Sequence, residues 1–373
     1  MQNKKLDFLE KCTSYKGLSK NISCSKIEND SEKKKCRKIV KECKKKTYYQ
    51  YIQSLEKILI KDPSFLQSFK LDLKDHIVEL HRFQKTKNKN IFLFLNGTPF
   101  SFIGFLPLIK ELVMESNLDY TIYTYDIRGM GNSQIVKSLK LTPNMNEQES
   151  LKYLDNIFIR DMKQIVEFIC EKEGVQKINL FGWSWGGMQA CRFTQLYPEL
   201  VERLILTATL YTKVGSFKGF SEKLQNFLQN KDNIETYKVP NEIIHFNLGR
   251  WFYEIEKINN NQNKIHESKS KNLAENILKN ASLALYKNTI DILATINLQK
   301  EWKENKIKKY KKIPVLMLIP NQDATPAFMQ IIKENMEEIG MKVIEYKRNG
   351  KHPFFITHPK ITKNEIDNFI KIF

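Results

Sequence analysis

The run Gly182-Trp183-Ser184-Trp185-Gly186-Gly187 carries the strongest chemical signal in the chain. A serine with glycines two places before and two places after suits a sharp turn that projects its hydroxyl clear of the backbone, because the crowded turn leaves no room for side chains at those places. The apolar run 177–181 precedes it and the helical stretch 187–196 follows it, so Ser184 falls at a strand-to-helix junction. There the free N–H groups and dipole of the helix favour developing negative charge. A serine hydroxyl needs a base to take its proton, and the base needs an acid to fix its tautomer. Asp323 follows the apolar run 314–320, and His352 follows the run 342–347 in the loop Arg348-Asn349-Gly350-Lys351-His352. Both lie past the C-terminal ends of expected strands, where the sites of open α/β sheets collect. Leu95-Asn96-Gly97-Thr98-Pro99 ends an earlier strand and can aim a backbone N–H at the space above Ser184. Thr98 is the candidate donor there, with Trp185 as the second; two such donors would stabilise the oxyanion of an acyl-transfer intermediate.

Rival assignments are weaker. His358 precedes Pro359 and is expected to begin the last helix, which leaves His352 as the preferred base. His76, His81, His245 and His266 lie at no comparable strand end and read as surface or packing residues. The glycine-bearing run 126–133, Asp-Ile-Arg-Gly-Met-Gly-Asn-Ser, lacks a full G-x-G-x-x-G and opens no helix, so a structural turn organised by Asp126 and Arg128 is expected in place of a phosphate site. No cluster has metal-ligand spacing, so neither a metal nor a cofactor is expected.

The elements that must position these residues alternate. Strands are expected at 76–83, 91–95, 120–125, 177–181 and 201–206, with helices at 105–115, 157–172 and 187–196 between them. Short runs such as Ile-Phe-Leu-Phe-Leu suit strands buried on both faces, and their alternation with helices implies an α/β fold with a mostly parallel sheet. From 211 to 311 the alternation stops in a polar, Asn- and Lys-rich stretch of mainly helical pattern, with a loop at 259–263. It resumes with a strand at 314–320, a helix at 327–338, a strand at 342–347 and a helix from 363. The expected organisation is a basic N-terminal extension (1–60), a first core part (61–210), a helical insertion (211–311) and a second core part (312–373). Long insertions of this kind are usually functional.

The chain has 373 residues and a formal charge of +19, and +9 of that lies in residues 1–50. The remaining charge is modest for its length, so charge speaks to the extension more than to the chemistry. The extension also holds Cys12, Cys24, Cys36 and Cys43, spaced by 11, 11 and 6 residues. Two readings stand. One is reduced cysteines in a cytoplasmic basic extension that docks a protein, an anionic surface or nucleic acid. The other is a disulfide-linked helix pair like the small coiled-coil-helix domains of the mitochondrial intermembrane space, although those use a twin nine-residue spacing. No run of 18 apolar residues and no apolar signal core follow the N-terminus, so a cytoplasmic protein without a membrane-spanning helix is expected.

Five pieces in order, at 96–99, 126–133, 182–187, 313–323 and 350–352, make the chain from about 75 to 373 resemble an α/β-hydrolase with an inserted cap. The order Ser184, Asp323, His352 is that of the α/β-hydrolase triad. The Ser-Trp-Gly-Gly elbow followed by Gln195-Leu196-Tyr197-Pro198-Glu199 is similar to proline iminopeptidases. The resemblance implies Ser184 as nucleophile, His352 as base, Asp323 as acid, and an oxyanion hole from Thr98 and Trp185. It also implies a small ester or peptide as substrate. Two departures matter. The family usually has His-Gly where this chain has Asn96-Gly97. Iminopeptidases hold the substrate's amine with acidic cap residues, and here only Glu254 and Glu256 after Trp251 offer themselves. Serine at 184, not aspartate, argues against the haloalkane dehalogenase and epoxide hydrolase branches. Esterase and peptidase both remain open, and a catalytically silent scaffold subunit with the same fold is the alternative from another class.

Overall fold

Side chains that are apolar at every position, not at alternate ones, need a sheet covered on both faces. The computed structural model describes residues 55–60, 64–73, 75–85, 90–98, 100–131, 133, 142, 144–229, 282–304, 312–323, 325–350 and 352–373. It has one such sheet of eight strands. They are β1 (Leu66–Asp72), β2 (Ile77–Gln84), β3 (Asn90–Leu95), β4 (Tyr120–Tyr125), β5 (Ile178–Trp183), β6 (Val201–Thr207), β7 (Val315–Pro320) and β8 (Val343–Arg348), in the order β1-β2-β4-β3-β5-β6-β7-β8. The pairs β1/β2 and β2/β4 are antiparallel and the other five are parallel. β4, β5 and β7 are buried at every residue, whereas the edge strands β1 and β8 are partly exposed.

The helices are α1 (Leu106–Glu115), α2 (Glu147–Tyr153), α3 (Arg160–Glu173), α4 (Trp185–Leu196), α5 (Ser216–Leu228), α6 (Leu283–Thr295), α7 (Leu298–Glu304), α8 (Pro326–Glu338), α9 (Phe354–Thr357) and α10 (Pro359–Ile372). The helix expected at 157–172 starts ten residues earlier. Asn146 and Glu149 form a reciprocal capping box at its start, and a π-helical turn, Leu154–Ile159, joins α2 to α3. β1, half-exposed, carries too little apolar periodicity to be legible in the sequence, and its pairing with β2 is what creates it. His358 does begin the last helix, and its ring stacks on Phe354 at 4.8 Å. Burial lowers its imidazole pKa, so it is a packing residue.

Of the 211–311 segment, residues 211–229 and 282–304 are described. Its two limbs are stitched together where they leave and rejoin the core: Val214 N–H donates to Leu293 O at 2.9 Å and Leu298 N–H to Tyr211 O at 3.2 Å. The cysteine-bearing front, the basic loop beyond Lys85, and His245, His266 and the 259–263 loop lie outside the described residues.

His76 and His81 are both buried. His81 packs its ring against Phe102 at 4.1 Å, and its Nδ1 lies 2.9 Å from Ser68 Oγ. Burial pushes its pKa down to about 4. The folded state therefore binds fewer protons than the unfolded state between that value and about 6.5, the ordinary histidine value. Stability is complete above about pH 6.5 and falls as pH drops towards 4, by on the order of 3 kcal/mol. Urea denaturation of the wild type and His81→Phe across this range checks it. The wild type is expected to show the decline, and a variant that keeps the same slope would sink the assignment.

Candidate active site

The elbow is built by backbone sterics. Ser184 has φ 54° and ψ −115°, a conformation that costs a non-glycine residue energy, and its N–H donates to Thr207 O at 3.0 Å on β6. Such strain persists only where neighbours over-determine it. Here the neighbours are glycines: a Cβ on Gly182 would lie 2.5 Å from Gly187 Cα, one on Gly186 would lie 2.1 Å from Leu95 O, and one on Gly187 would lie 2.0 Å from Thr209 Oγ1. α4 starts at Trp185, two residues before the expected Gly187, because the turn is completed within Ser184 itself.

Two loops converge on this turn. The Asn96-Gly97-Thr98 segment leaves β3 against the elbow, since a Cβ on Gly97 would sit 3.2 Å from Ser184 Cβ and 3.0 Å from the Trp183 ring. Thr98 is buried there, while Pro99 lies outside the described residues. On the other side, the loops after β7 and β8 are joined by Asn321 N–H to Arg348 O and Gln322 N–H to Gly350 O, each 2.9 Å. That pairing brings Asp323 to His352: Asp323 Oδ2 is 2.8 Å from His352 Nδ1 and also accepts the Thr325 hydroxyl at 2.5 Å. His352 is tied to the elbow through Trp183, whose indole N–H donates to His352 O at 3.2 Å and whose ring lies 5.7 Å from the imidazole. Phe355, three residues on, packs against Trp183 at 5.1 Å and Phe105 at 5.2 Å, so aromatic rings support the histidine loop from beneath. Ser184 and His352, 168 positions apart, thereby both lie past the C-terminal ends of parallel strands, linked through Trp183.

The 126–133 segment is a structural turn, as expected from Asp126 and Arg128. The Arg128 guanidinium donates to Asp161 at 2.8 and 2.7 Å and to Asp75 at 3.1 and 3.3 Å. Arg160 adds a hydrogen bond to Asp75 at 2.9 Å. Burial alone would raise the Asp75 carboxyl, but hydrogen bonds from Arg128 and Arg160 hold it well below the ordinary carboxylate range. Asp75, His76 and Asp161 bring ligand atoms within 4.8 Å of one another, a grouping that the sequence conceals because Asp161 is remote. Two guanidiniums already occupy that space, so the cluster reads as a partly buried ion network. Glu254 and Glu256 lie outside the described residues.

A model of the alpha/beta hydrolase fold matches residues 90–325. With the sheet order and the nucleophile-type elbow above, the chain belongs to the α/β-hydrolase fold family. Over 138 residues it is 28% identical to a proline iminopeptidase of Lactobacillus delbrueckii subsp. bulgaricus, covering 37% of this chain and 40% of that one. It thus spans well under half of that relative's length. It is 24% identical over 226 residues to a pimeloyl-[acyl-carrier protein] methyl ester esterase of Wigglesworthia glossinidia brevipalpis, covering 59% of this chain and 81% of that one. The crystal structure of a bromoperoxidase from Bacillus anthracis superposes with a TM-score of 0.55 at 18% identity, covering 82% of this chain and all of that one, which shows the shared fold. Among the described residues, no helix is long and apolar enough to cross a membrane.

Proposed function

We propose that the protein is a serine hydrolase that cleaves an ester or amide bond through an acyl-enzyme. The observation that carries this reading is the 2.8 Å contact of Asp323 with His352, in a loop joined to the strained Ser184 elbow through Trp183. In the reaction, Ser184 Oγ attacks the substrate carbonyl carbon while His352 takes the hydroxyl proton. Asp323 holds the imidazole tautomer and stabilises the imidazolium. The backbone N–H groups of Thr98 and Trp185 receive the oxyanion, which collapses as the C–O or C–N bond breaks and His352 returns its proton to the departing alcohol or amine. Water, deprotonated by His352, then releases the acid and regenerates the serine.

The relatives named above are by name a proline iminopeptidase and a methyl ester esterase, which supports an ester or peptide substrate. In this reading the insertion expected at 211–311 would select the substrate. Labelling with a fluorophosphonate tests the chemistry without knowledge of the substrate. The expected result is one adduct per chain, mapped to Ser184 by peptide mass spectrometry and blocked by prior denaturation. Labelling elsewhere, or none at all, would remove the reading.

A further inference from the structure

The turn after β4 does more than close the chain, because it reaches the loop beside Ser184. β3 and β4 are parallel neighbours, so their C-terminal ends emerge side by side. At the end of β3, the Asn96 side-chain amide donates to Tyr125 O, the last residue of β4, at 3.0 Å. Six residues on, Phe102 N–H donates to the Asp126 carboxylate, the first residue after β4, at 2.8 Å. Between those points Phe100 N–H closes a turn onto Gly97 O at 2.8 Å. Asn96 and Asp126 are each 1% exposed, so both contacts are shielded from water. The Asp126 carboxylate is itself enclosed. Gly131, at φ +53°, passes so near that a Cβ there would lie 2.0 Å from Oδ2, and the Ser133 hydroxyl bonds to Asp126 O. Burying an ionised carboxylate is costly unless hydrogen bonds hold it, and here part of that bonding is directed at the loop.

The held segment bears on the elbow twice. Gly97 abuts Ser184, and Asn96 O lies 2.7 Å from where a Cβ on Gly186 would sit. We infer that Asn96 and Asp126 are positioning residues of the acyl-transfer reaction: they clamp both ends of the 96–102 segment to β4 and so set the distance from its oxyanion-facing N–H to the reacting carbonyl. This inference rests on the serine-hydrolase reading. It also gives the 126–133 turn a role that its glycine spacing did not disclose. Asn96 supplies the side-chain donor from β3 in this chain.

The test uses the full chain, with active sites counted by fluorophosphonate titration. Asn96→Leu removes the amide at similar volume, and Asp126→Ala removes the oxygen that accepts the Phe102 N–H. Each is expected to lower kcat per titrated site on p-nitrophenyl acetate by about ten- to a hundredfold, with KM within about threefold of wild type. The inhibition constant of an aryl trifluoromethyl ketone, whose serine adduct carries the oxyanion, is expected to rise by a similar factor. A merely structural fault would reduce the number of titratable sites and leave that constant unchanged; this result, or kcat per site within about twofold of wild type, overturns the clamp. Should either variant fail to fold, the other decides alone. A wild type that neither labels nor turns over overturns the serine-hydrolase reading and the clamp with it, whereas active wild type with unaffected variants overturns only the clamp.

Discussion

Ser184→Ala is expected to reduce turnover of an activated ester by at least about 10⁴-fold, while Ser184→Gly, equally inactive, unfolds at higher urea than Ser184→Ala. The first effect follows from the proposed chemistry: without Oγ no acyl-enzyme forms, and only the binding and oxyanion groups remain. The second follows from the backbone. At φ 54° and ψ −115° a Cβ is strained, and glycine relieves that strain. Relief of roughly 1–3 kcal/mol is partly offset by the greater chain entropy of unfolded glycine, about 0.5–1 kcal/mol, which leaves a net gain of about 1 kcal/mol. Comparing glycine with alanine, not with serine, cancels loss of the hydroxyl. Steady-state kinetics and urea denaturation on the same preparations give both numbers. Retained activity in Ser184→Ala would refute the nucleophile assignment, and a glycine variant less stable than the alanine variant would refute the strain argument.

Gly186→Ala is expected to destabilise the fold by more than about 4 kcal/mol and to abolish fluorophosphonate labelling. The added Cβ would lie 2.1 Å from Leu95 O, 2.4 Å from Leu95 C and 2.7 Å from Asn96 O. These are backbone atoms at the end of a central strand, so no rotamer change can clear them. Relief requires either α4 to lift from β3 or the 96–98 segment to move, and both disassemble the elbow. Gly97→Ala is the milder companion, since its Cβ would meet the Trp183 ring and Ser184 Cβ at 3.0–3.2 Å, where side chains can give. Equal denaturation midpoints for Gly186→Ala and wild type would show that the elbow is looser than its geometry implies.

The sequence made the elbow legible because its rules are local. Glycines at 182 and 186, an apolar run before and a helical run after state the turn within twenty residues. The buried strands were legible for a like reason: runs of mainly apolar side chains without polar alternation leave β4, β5 and β7 no other environment. β1 was hidden because it is half-exposed, and α2 because the π-turn at 154–159 breaks the helical period. The burial of His76 and His81 was not readable, since one is enclosed by an ion network assembled from remote residues and the other by Phe102.

By itself, then, the sequence determined the α/β class, the position of Ser184 at a strand-to-helix turn, and the placing of Asp323 and His352 past later strands. Each depends on side-chain size and polarity along a contiguous stretch. The tertiary structure alone decided which strand ends meet. The order β2-β4-β3-β5 puts Asp126 beside Asn96, and the parallel pairing of β7 with β8 puts Asp323 against His352. Those contacts join residues about 30 positions apart through the sheet, and no local preference encodes them. They arise because burying both faces of the strands leaves one arrangement in which the backbone hydrogen bonds are also satisfied.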